Sequence, residues 1–174
     1  MEHSNRSVDG QSISSIRLRA FGAEHDLQVL REIRRDYALQ DILMAYPEES
    51  RDVSDDDVLA WVSRKERDGV FLVVVTERGP AGFVQLSNVH RKGEYAWFGI
   101  AIAASSRGRG VGRAALAGLI DHGGTVGLRK IIGDVRADNS ASRAMCEGLG
   151  FEKAGTYRSH YRGHDVIIYE KHLR

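Results

Sequence analysis

The sequence predicts an α+β fold in which a mixed, mostly antiparallel central sheet of about seven strands is flanked by about four helices. Two observations carry this prediction. Apolar, β-branched runs with hairpin spacing come first, and an alternating order of strands and helices follows them. The 174 residues suit one compact domain with a single sizeable core.

The first elements follow from periodicity and capping. A strand is predicted at 16–20, where apolar residues alternate with arginines in the pattern of a half-buried strand. Helices are predicted at 24–37 and 54–67. The second helix has a start signal, because Ser54 lies three residues before Asp57 and acidic residues in the first turn complement the helix dipole.

The later elements follow from apolar runs and the turns between them. Residues 70–76 form a β-branched run typical of a central strand, and the turn after it, which contains Gly and Pro, predicts a hairpin. Further strands are predicted at 82–89, 95–102, 131–135, 156–160 and 166–171, and helices at 111–122 and 140–149.

Composition excludes several classes of protein. The hydrophobic fraction is 42%, and no apolar run reaches the ~20 residues that span a bilayer, so no membrane partner is expected. A net charge of +1 argues against nucleic acid as a partner. Cys146 is the single cysteine and the seven histidines show no zinc spacing, so neither an internal disulfide nor a metal is implied.

The amino-terminal residues predict no structured element. Residues 1–13 lack an apolar signal core and are expected to form a disordered lead-in, which leaves 14–174 as a single domain. We therefore expect a cytoplasmic protein.

The segment between the strand at 95–102 and the helix at 111–122 is the most informative part of the chain. Three glycines alternate among three arginines, namely Arg107, Gly108, Arg109, Gly110, Gly112 and Arg113. Glycine lets the main chain turn sharply and lets an anion approach its N–H groups, and the unpaired amides and dipole of the following helix add partial positive charge. The pattern predicts a site for a phosphorylated cofactor.

Three kinds of phosphate loop compete for this segment, and spacing separates them. A P-loop requires a Lys followed by Ser or Thr after its glycines, which this segment lacks. A dinucleotide loop has G-x-G-x-x-G spacing, and Asp134 lies where its acidic ribose partner would be. The glycines here alternate as G-x-G-x-G, so that match is partial.

Two motifs support a third kind of loop. Residues 107–112 fit the pattern [Q/R]-x-x-G-x-[G/A] and resemble the coenzyme A loop of the GNAT acyltransferase superfamily. Residues 139–151 are similar to the N-x-x-[A/S]-x-x-x-[Y]-x-x-x-G-F segment that closes the acetyl-CoA site in that family. The resemblance runs from Ile16 to the carboxyl-terminal strand. It points to the branch that acetylates ribosomal-protein amino termini, spermidine and nucleotide-linked amino sugars.

The resemblance implies a GNAT-like fold and acyl-CoA-dependent transfer of an acetyl group to a primary amine by direct attack, with no metal. It also implies that the strand before the glycine loop splays from its neighbour, so that free backbone groups hold the pantetheine arm and the thioester carbonyl. The residues implied in cofactor binding are Ile100, Ala101, Ile102, Arg107, Gly108, Arg109, Gly110, Val111, Gly112, Arg113, Asn139 and Ser142.

The residue that would protonate the leaving thiolate differs from the one common in the family. Cys146 stands where a tyrosine is common, and although a thiol can protonate a thiolate, a lone helical cysteine is more often a core residue. Ser142 lies four residues earlier on the same helical face and resembles a serine near the sulfur in the Rim-type branch, with Asn139 beside it. Helix capping is the alternative role for both Ser142 and Asn139.

The residue at the usual position of the general base also differs from the one common in the family. Trp97 occupies the position of a frequent family glutamate, and an indole cannot accept a proton. Four groups near strand ends remain as candidates, namely Glu94, His90, His160 and Asp165. Asp165 is preferred, because the tail that carries it matches the branch.

The acceptor is expected to be a small-molecule amine, such as a nucleotide-linked amino sugar, an aminoglycoside-like compound or a polyamine. The linker at 44–50 is expected to line its opening. Acidic residues near this linker would attract a polyamine, although a capped, solvated helix start is the favoured explanation; they are Glu48, Glu49, Asp52, Asp55, Asp56 and Asp57. The alternatives are acetylation of a protein amino terminus and a non-catalytic acyl-CoA sensor. Relatives often pair as dimers, so a homodimer is an option.

Overall fold

The computed structural model describes residues 15–45 and 52–173. The predicted lead-in at 1–13 lies outside the described residues, as does most of the linker predicted to line the acceptor opening. Of that linker, Met44 and Ala45 are described.

One seven-stranded sheet organises the chain, in the order β1-β2-β3-β4-β5-β7-β6. Its strands are β1 (Arg17–Arg19), β2 (Val70–Thr76), β3 (Gly79–His90), β4 (Tyr95–Ile102), β5 (Lys130–Arg136), β6 (Glu152–Tyr161) and β7 (His164–His172). Neighbouring strands are antiparallel except β4 and β5, which are parallel. The predicted mixed, mostly antiparallel sheet is therefore confirmed.

Five α-helices flank the sheet in the described part of the chain, one more than the sequence predicts. They are α1 (Ala23–Arg35), α2 (Tyr37–Ile42), α3 (Asp55–Asp68), α4 (Val111–Thr125) and α5 (Ser140–Gly148). The additional helix is α2, and Asp36 explains it. The extended backbone of Asp36 ends α1, and its Oδ1 accepts a hydrogen bond from the Leu39 N–H at 3.0 Å, which caps α2.

The predicted start of α3 is confirmed as a capping box. The Ser54 hydroxyl oxygen accepts from the Asp57 N–H at 3.2 Å, and the Asp57 carboxylate accepts from the Ser54 N–H at 2.8 Å. Asp55 in turn is bonded by the Arg31 guanidinium at 2.6 Å. Two of the acidic residues considered for cation attraction are thus engaged in helix capping and an ion pair.

Apolar side chains fill both faces of the sheet. On one face, Leu116 and Leu119 of α4 are fully buried against the strands. On the other, Leu30 of α1 packs with Val58 and Trp61 of α3, and the Trp61 ring makes edge-on contacts with neighbouring phenylalanines. Each such side chain contributes about 1.5–3 kcal/mol on burial, so these layers hold the helices firmly on the sheet.

The central sheet opens between β4 and β5. The two strands pair at Tyr95 with Lys130, Ala96 with Ile131 and Trp97 with Ile132. From Gly133 onward β5 is paired with β7 alone, while the second half of β4 is paired with β3 alone. A gap therefore separates the two strands and leads towards the glycine loop.

Candidate active site

Two of the three glycines have the sharply turning backbone that the sequence predicts, whereas Gly112 lies in the first turn of α4. Gly108 and Gly110 have φ angles of 74° and 76°, in the left-handed region that a Cβ disfavours. Added Cβ atoms would meet nothing within 4 Å, so both glycines lie against open space. The first helical hydrogen bond of α4 runs from the Ala114 N–H to the Gly110 carbonyl, at 3.0 Å. The earlier amides, from Val111 onward, have no partner in the helical pattern and are suited to an anion.

The three arginines of the loop brace the backbone. Arg107 donates through Nε to the Ile102 carbonyl at 2.7 Å and through Nη2 to Asp36 at 3.0 Å. Arg109 donates to the Ser105 carbonyl, and Arg113 donates to the Gly148 carbonyl at 2.5 Å. A guanidinium has five N–H donors, so each keeps donors for phosphate oxygens. Their first role in the fold is to fix the loop against β4 and α5.

The start of α5 faces the gap in the sheet. The Asn139 side chain caps this helix by accepting from the Ser142 N–H at 3.1 Å, which confirms the capping role considered for Asn139. Asn139 and Ser142 both line a cavity of about 420 Å³. Ser142 therefore lies at the end of the gap nearest α5.

This first cavity passes through the gap between β4 and β5. Ile100, Asn139 and Ser142 line it on the side of α4 and α5. The described residues that line its other side include Leu43, Gln85, Trp97, Asp134, His160 and Tyr161. A ligand held by the glycine loop would therefore meet, through the sheet, a second ligand entering from the side of α2.

Asp134 is the main site residue that sequence reasoning did not assign to catalysis. It lies on β5 at the cavity wall, where burial raises the pKa of its carboxyl group although part of the side chain remains accessible. The Trp97 indole N–H, by hydrogen bonding, and the charge of His160 both oppose this rise in the pKa. The available signal was a single carboxylate within the otherwise apolar run at 131–135.

Two of the four predicted base candidates lie at the far end of β4. Glu94 is in the turn before β4, where its carbonyl accepts from the Arg129 N–H at 2.7 Å. His90 is the last residue of β3, and its Nδ1 accepts from the Gly93 N–H of the same turn at 2.8 Å. β4 and β5 are still paired at this end, and the gap and the glycine loop lie at the other. We therefore do not retain Glu94 or His90 as the base.

Asp165, the preferred base candidate, has a structural role in the β6–β7 hairpin. Its exposed carboxylate accepts from the Ser159 N–H at 2.8 Å, and it is not among the described residues that line the first cavity. The same hairpin carries His160 and Tyr161 to the cavity wall instead. Of the four candidates, His160 is the one the fold brings to the gap.

Cys146 lies in the core. Its side chain is fully buried among apolar residues of α4, α5 and the sheet, and it does not line the first cavity. Burial, with a smaller effect of Glu147, raises the pKa of its thiol to about 12. The thiol therefore stays neutral and out of reach, as expected of a core cysteine, and we do not assign it the role of acid.

Helix α2 is held over the cavity by a buried guanidinium. Arg136 on β5 is only 6% exposed and donates to Asp41 of α2 at 2.6 Å and to both oxygens of Asp138. These contacts fix the carboxyl end of α2, from which Leu43 reaches the cavity. The Tyr161 hydroxyl adds a bond to the Ala45 carbonyl at 3.0 Å.

A second cavity, of about 550 Å³, adjoins the first between α1, α3 and the sheet. The two cavities share Leu43, Met44, Gln85, Gly99 and Ile100. They therefore meet at β4, beside the point where the gap opens.

Neither a metal site nor a membrane span is found in the part of the chain that the structure describes. Its His, Cys, Asp and Glu side chains form no group of three or more that could hold a metal ion. Its helices are all too short or too polar to cross a bilayer.

Comparison with known families tests the resemblance that the two motifs indicate. The family profile described as an acetyltransferase (GNAT) domain matches residues 15–152, which is most of the chain. The chain belongs to the GNAT acetyltransferase family. The family resemblance that the two motifs indicate is thereby confirmed.

The individual relatives match only part of the chain. The chain is 39% identical over 74 residues to the [ribosomal protein bS18]-alanine N-acetyltransferase of Salmonella typhimurium, a match that covers 41% of this chain and 50% of the relative. The N-alpha-acetyltransferase RimI of Mycobacterium tuberculosis is 38% identical over 71 residues, covering 40% of this chain and 42% of that protein. The chain thus spans about half the length of the curated relatives that it matches.

Solved structures confirm the GNAT-like fold. Spermidine N-acetyltransferase from Vibrio cholerae, in complex with CoA and spermine, superposes with a TM-score of 0.81 at 21% identity and covers 90% of this chain and 95% of its own. The ribosomal L7/L12 alpha-N-protein acetyltransferase RimL, in complex with coenzyme A, also has a TM-score of 0.81, at 20% identity, covering 93% and 96%.

Proposed function

We propose that this GNAT protein transfers an acetyl group from acetyl-CoA to a primary amine by direct attack. One observation carries the proposal: the half of β4 that is unpaired on its β5 side leads, through one short turn at Ala104–Ser106, to the glycine loop and the free amides of α4. A thioester carrier has an anionic end and a long amide-containing arm, and this continuous run of backbone groups matches both.

The residues of this run fit coenzyme A in turn. The amides of Val111, Gly112 and Arg113 would hold the diphosphate, beside the open faces of Gly108 and Gly110. The backbone of 100–102 would hold the pantetheine arm, since β5 does not pair with it and, of its carbonyls, that of Ile102 is already bonded by Arg107. When bound, acetyl-CoA supplies the thioester whose acetyl group is transferred.

The proton balance assigns roles to cavity residues. The neutral amine nitrogen forms a bond to the thioester carbon, the carbon–sulfur bond breaks, and the amine must lose a proton. Asp134 is our candidate acceptor of that proton, directly or through His160 or a water, because its raised pKa makes it a better base than an ordinary carboxylate. Ser142, which lines the same cavity near α5, is our candidate to hydrogen-bond the departing sulfur and to pass it a proton from water, so that the hydroxyl regains a proton as it gives one up.

The acceptor that we favour is a small-molecule amine, because two adjoining cavities extend inward from the gap. A protein amino terminus is the second candidate, and the names of the partial relatives favour it. We also propose that residues 14–174 act as one transferase domain, cytoplasmic because acetyl-CoA is the cosubstrate.

The test is binding followed by turnover. Calorimetry should show one acetyl-CoA site per chain, and a thiol reagent should detect coenzyme A release that depends on an added amine. Amines and peptides are screened side by side. Turnover of peptides alone would remove the small-molecule acceptor, and tight acetyl-CoA binding without turnover of any amine or peptide would favour the non-catalytic sensor.

A further inference from the structure

We propose that the second cavity is the acceptor site and that the acceptor amine carries an anionic group, a carboxylate or a phosphate, received by Arg64 and Lys65 of α3. The amine end is received by Gln85, where the two cavities meet. This inference rests on the proposed acetyl transfer and names the chemical class of its acceptor.

The charge of the second cavity supports an anion. Its described wall has three cationic side chains, Arg34, Arg64 and Lys65, and one carboxylate, Asp68. Neither Arg64 nor Lys65 forms a salt bridge with the described residues. Their positive charge is therefore not neutralised by a direct contact in this part of the chain.

Lys65 in particular would gain from an anion. Burial of this half-buried ammonium lowers its pKa, the charge of Asp68 opposes that effect, and the charges of Arg34 and Arg64 add to it. A carboxylate or phosphate between Arg64 and Lys65 would offset the cost of burying the ammonium and its repulsion by the neighbouring guanidinium groups.

Gln85 supplies an independent observation at the other end of the cavity. Its Oε1 is buried and has no hydrogen-bond partner among the described residues. Gln85 faces Gly99 across the β3–β4 ladder, and a Cβ on Gly99 would lie 2.7 Å from the Gln85 Nε2. The missing side chain at Gly99 thus lets the amide cross β4 beside the gap, where an amine N–H would satisfy the buried oxygen.

The wall between these two ends is apolar. Trp61 and Phe83 are in edge-on contact and line the cavity together with Leu43. A ligand with an amine at one end, a hydrocarbon or ring in the middle and an anion at the other end matches this order. A polyamine does not match it, because its second amine would face Arg64 and Lys65.

The experiment compares amines that differ only in the anion. Acetylation of butylamine is measured against 4-aminobutyrate, glucosamine against glucosamine 6-phosphate, and spermidine is included as the polycation. The anionic member of at least one pair should have a KM at least ~tenfold lower than its neutral partner, which corresponds to about 1.4 kcal/mol. The Lys65→Glu variant should lose this preference, whereas Lys92→Glu, the same charge change in the exposed β3–β4 turn, should keep it. Gln85→Leu should raise KM for both members without changing the Kd for acetyl-CoA.

Equal KM values within both pairs, a preference that survives in Lys65→Glu, or faster turnover of spermidine than of every anionic amine would each overturn the inference while leaving the acetyl transfer intact. If none of these amines is acetylated, anion binding at the site is measured directly by calorimetric titration of inorganic phosphate into protein saturated with coenzyme A. Phosphate should then bind the wild type and the Lys92→Glu variant but not Lys65→Glu, and equal binding or no binding in all three would refute the anion site.

Discussion

Asp36 and Arg107, which lie far apart in the sequence, join the glycine loop to the break between α1 and α2. The Arg107 Nη2 donates to one carboxylate oxygen of Asp36 at 3.0 Å, while the other oxygen caps α2 through the Leu39 N–H at 3.0 Å. One carboxylate therefore positions both the proposed cofactor loop and the helix that covers the acceptor side of the gap.

Substitution of Asp36 should separate these two roles. Asp36→Ala removes the cap and the ion pair, and we expect a loss of about 1–2 kcal/mol in the free energy of unfolding. Asp36→Asn keeps a capping oxygen and loses the charge, so it should cost about 0.5 kcal/mol. Urea denaturation measures both. Both variants should raise the Kd for coenzyme A, because Arg107 loses its charged partner, and an unchanged Kd in both would show that this pair does not position the loop.

The glycine loop can be tested with a matched pair of glycines. Gly110 and Gly127, which follows α4, both have positive φ angles and open space around a Cβ. Alanine at either position should cost about 1–2 kcal/mol of stability through backbone strain alone. Gly110→Asp should also raise the Kd for coenzyme A at least ~tenfold, about 1.4 kcal/mol, by placing a carboxylate against the phosphates.

Calorimetry distinguishes the two sites. Gly127→Asp is the control, since it has the same strain and charge at the other end of α4 and should leave the Kd for coenzyme A unchanged. Equal weakening by both variants would attribute the effect to general destabilisation and not to the loop.

The proposed base can be identified from the pH dependence of kcat/KM. Asp134 acts as a carboxylate, and because its pKa is raised, activity should fall as the pH drops through a value above the usual 3.9 for aspartate. Asp134→Asn should lower kcat by about 100-fold or more and remove this acidic limb. Asp165→Asn should keep both the rate and the limb. The reverse result would restore the hairpin carboxylate as the base.

Cys146 should matter for stability and not for catalysis. Cys146→Ala should retain kcat and lose about 1 kcal/mol or more of folding free energy, because it leaves a small cavity in the core. A large fall in kcat, with the fold retained, would identify the thiol as the missing acid.

The same variant tests the raised pKa of this thiol. The thiol ionises near 9 when unfolded and near 12 when folded, so the unfolded state loses its proton first as the pH rises. Between pH 8 and pH 10 the stability of the wild type should fall by about 1.4 kcal/mol more than that of the alanine variant. Urea unfolding of both proteins at pH 8 and pH 10 measures the difference.

Local pattern was sufficient for most of the elements and for the backbone of the glycine loop. The capping box of α3, the hairpin strands and the left-handed glycines depend on neighbours a few residues away, so periodicity and spacing predicted them. The break at Asp36 was missed, although an aspartate at a helix start is a recognised signal, because the apolar pattern of 24–37 continues past it.

The base candidates show the limit of such reasoning. Glu94 and Asp165 are both near strand ends, yet the first lies at the closed end of β4 and the second caps a hairpin turn. Which strand ends lie close together depends on the sheet order, and the placement of β7 between β5 and β6 is a pairing between distant parts of the chain.

The sequence by itself determined that this chain has an α+β fold of the GNAT family with left-handed glycines ahead of α4, because the spacing of apolar residues and short-range sterics govern these features. Tertiary structure alone decided that β4 and β5 separate after three residue pairs, and that Asp134, His160 and Gln85 meet at the gap. Their convergence depends on long-range strand pairing and on the packing of α2 over the sheet, which local periodicity does not encode.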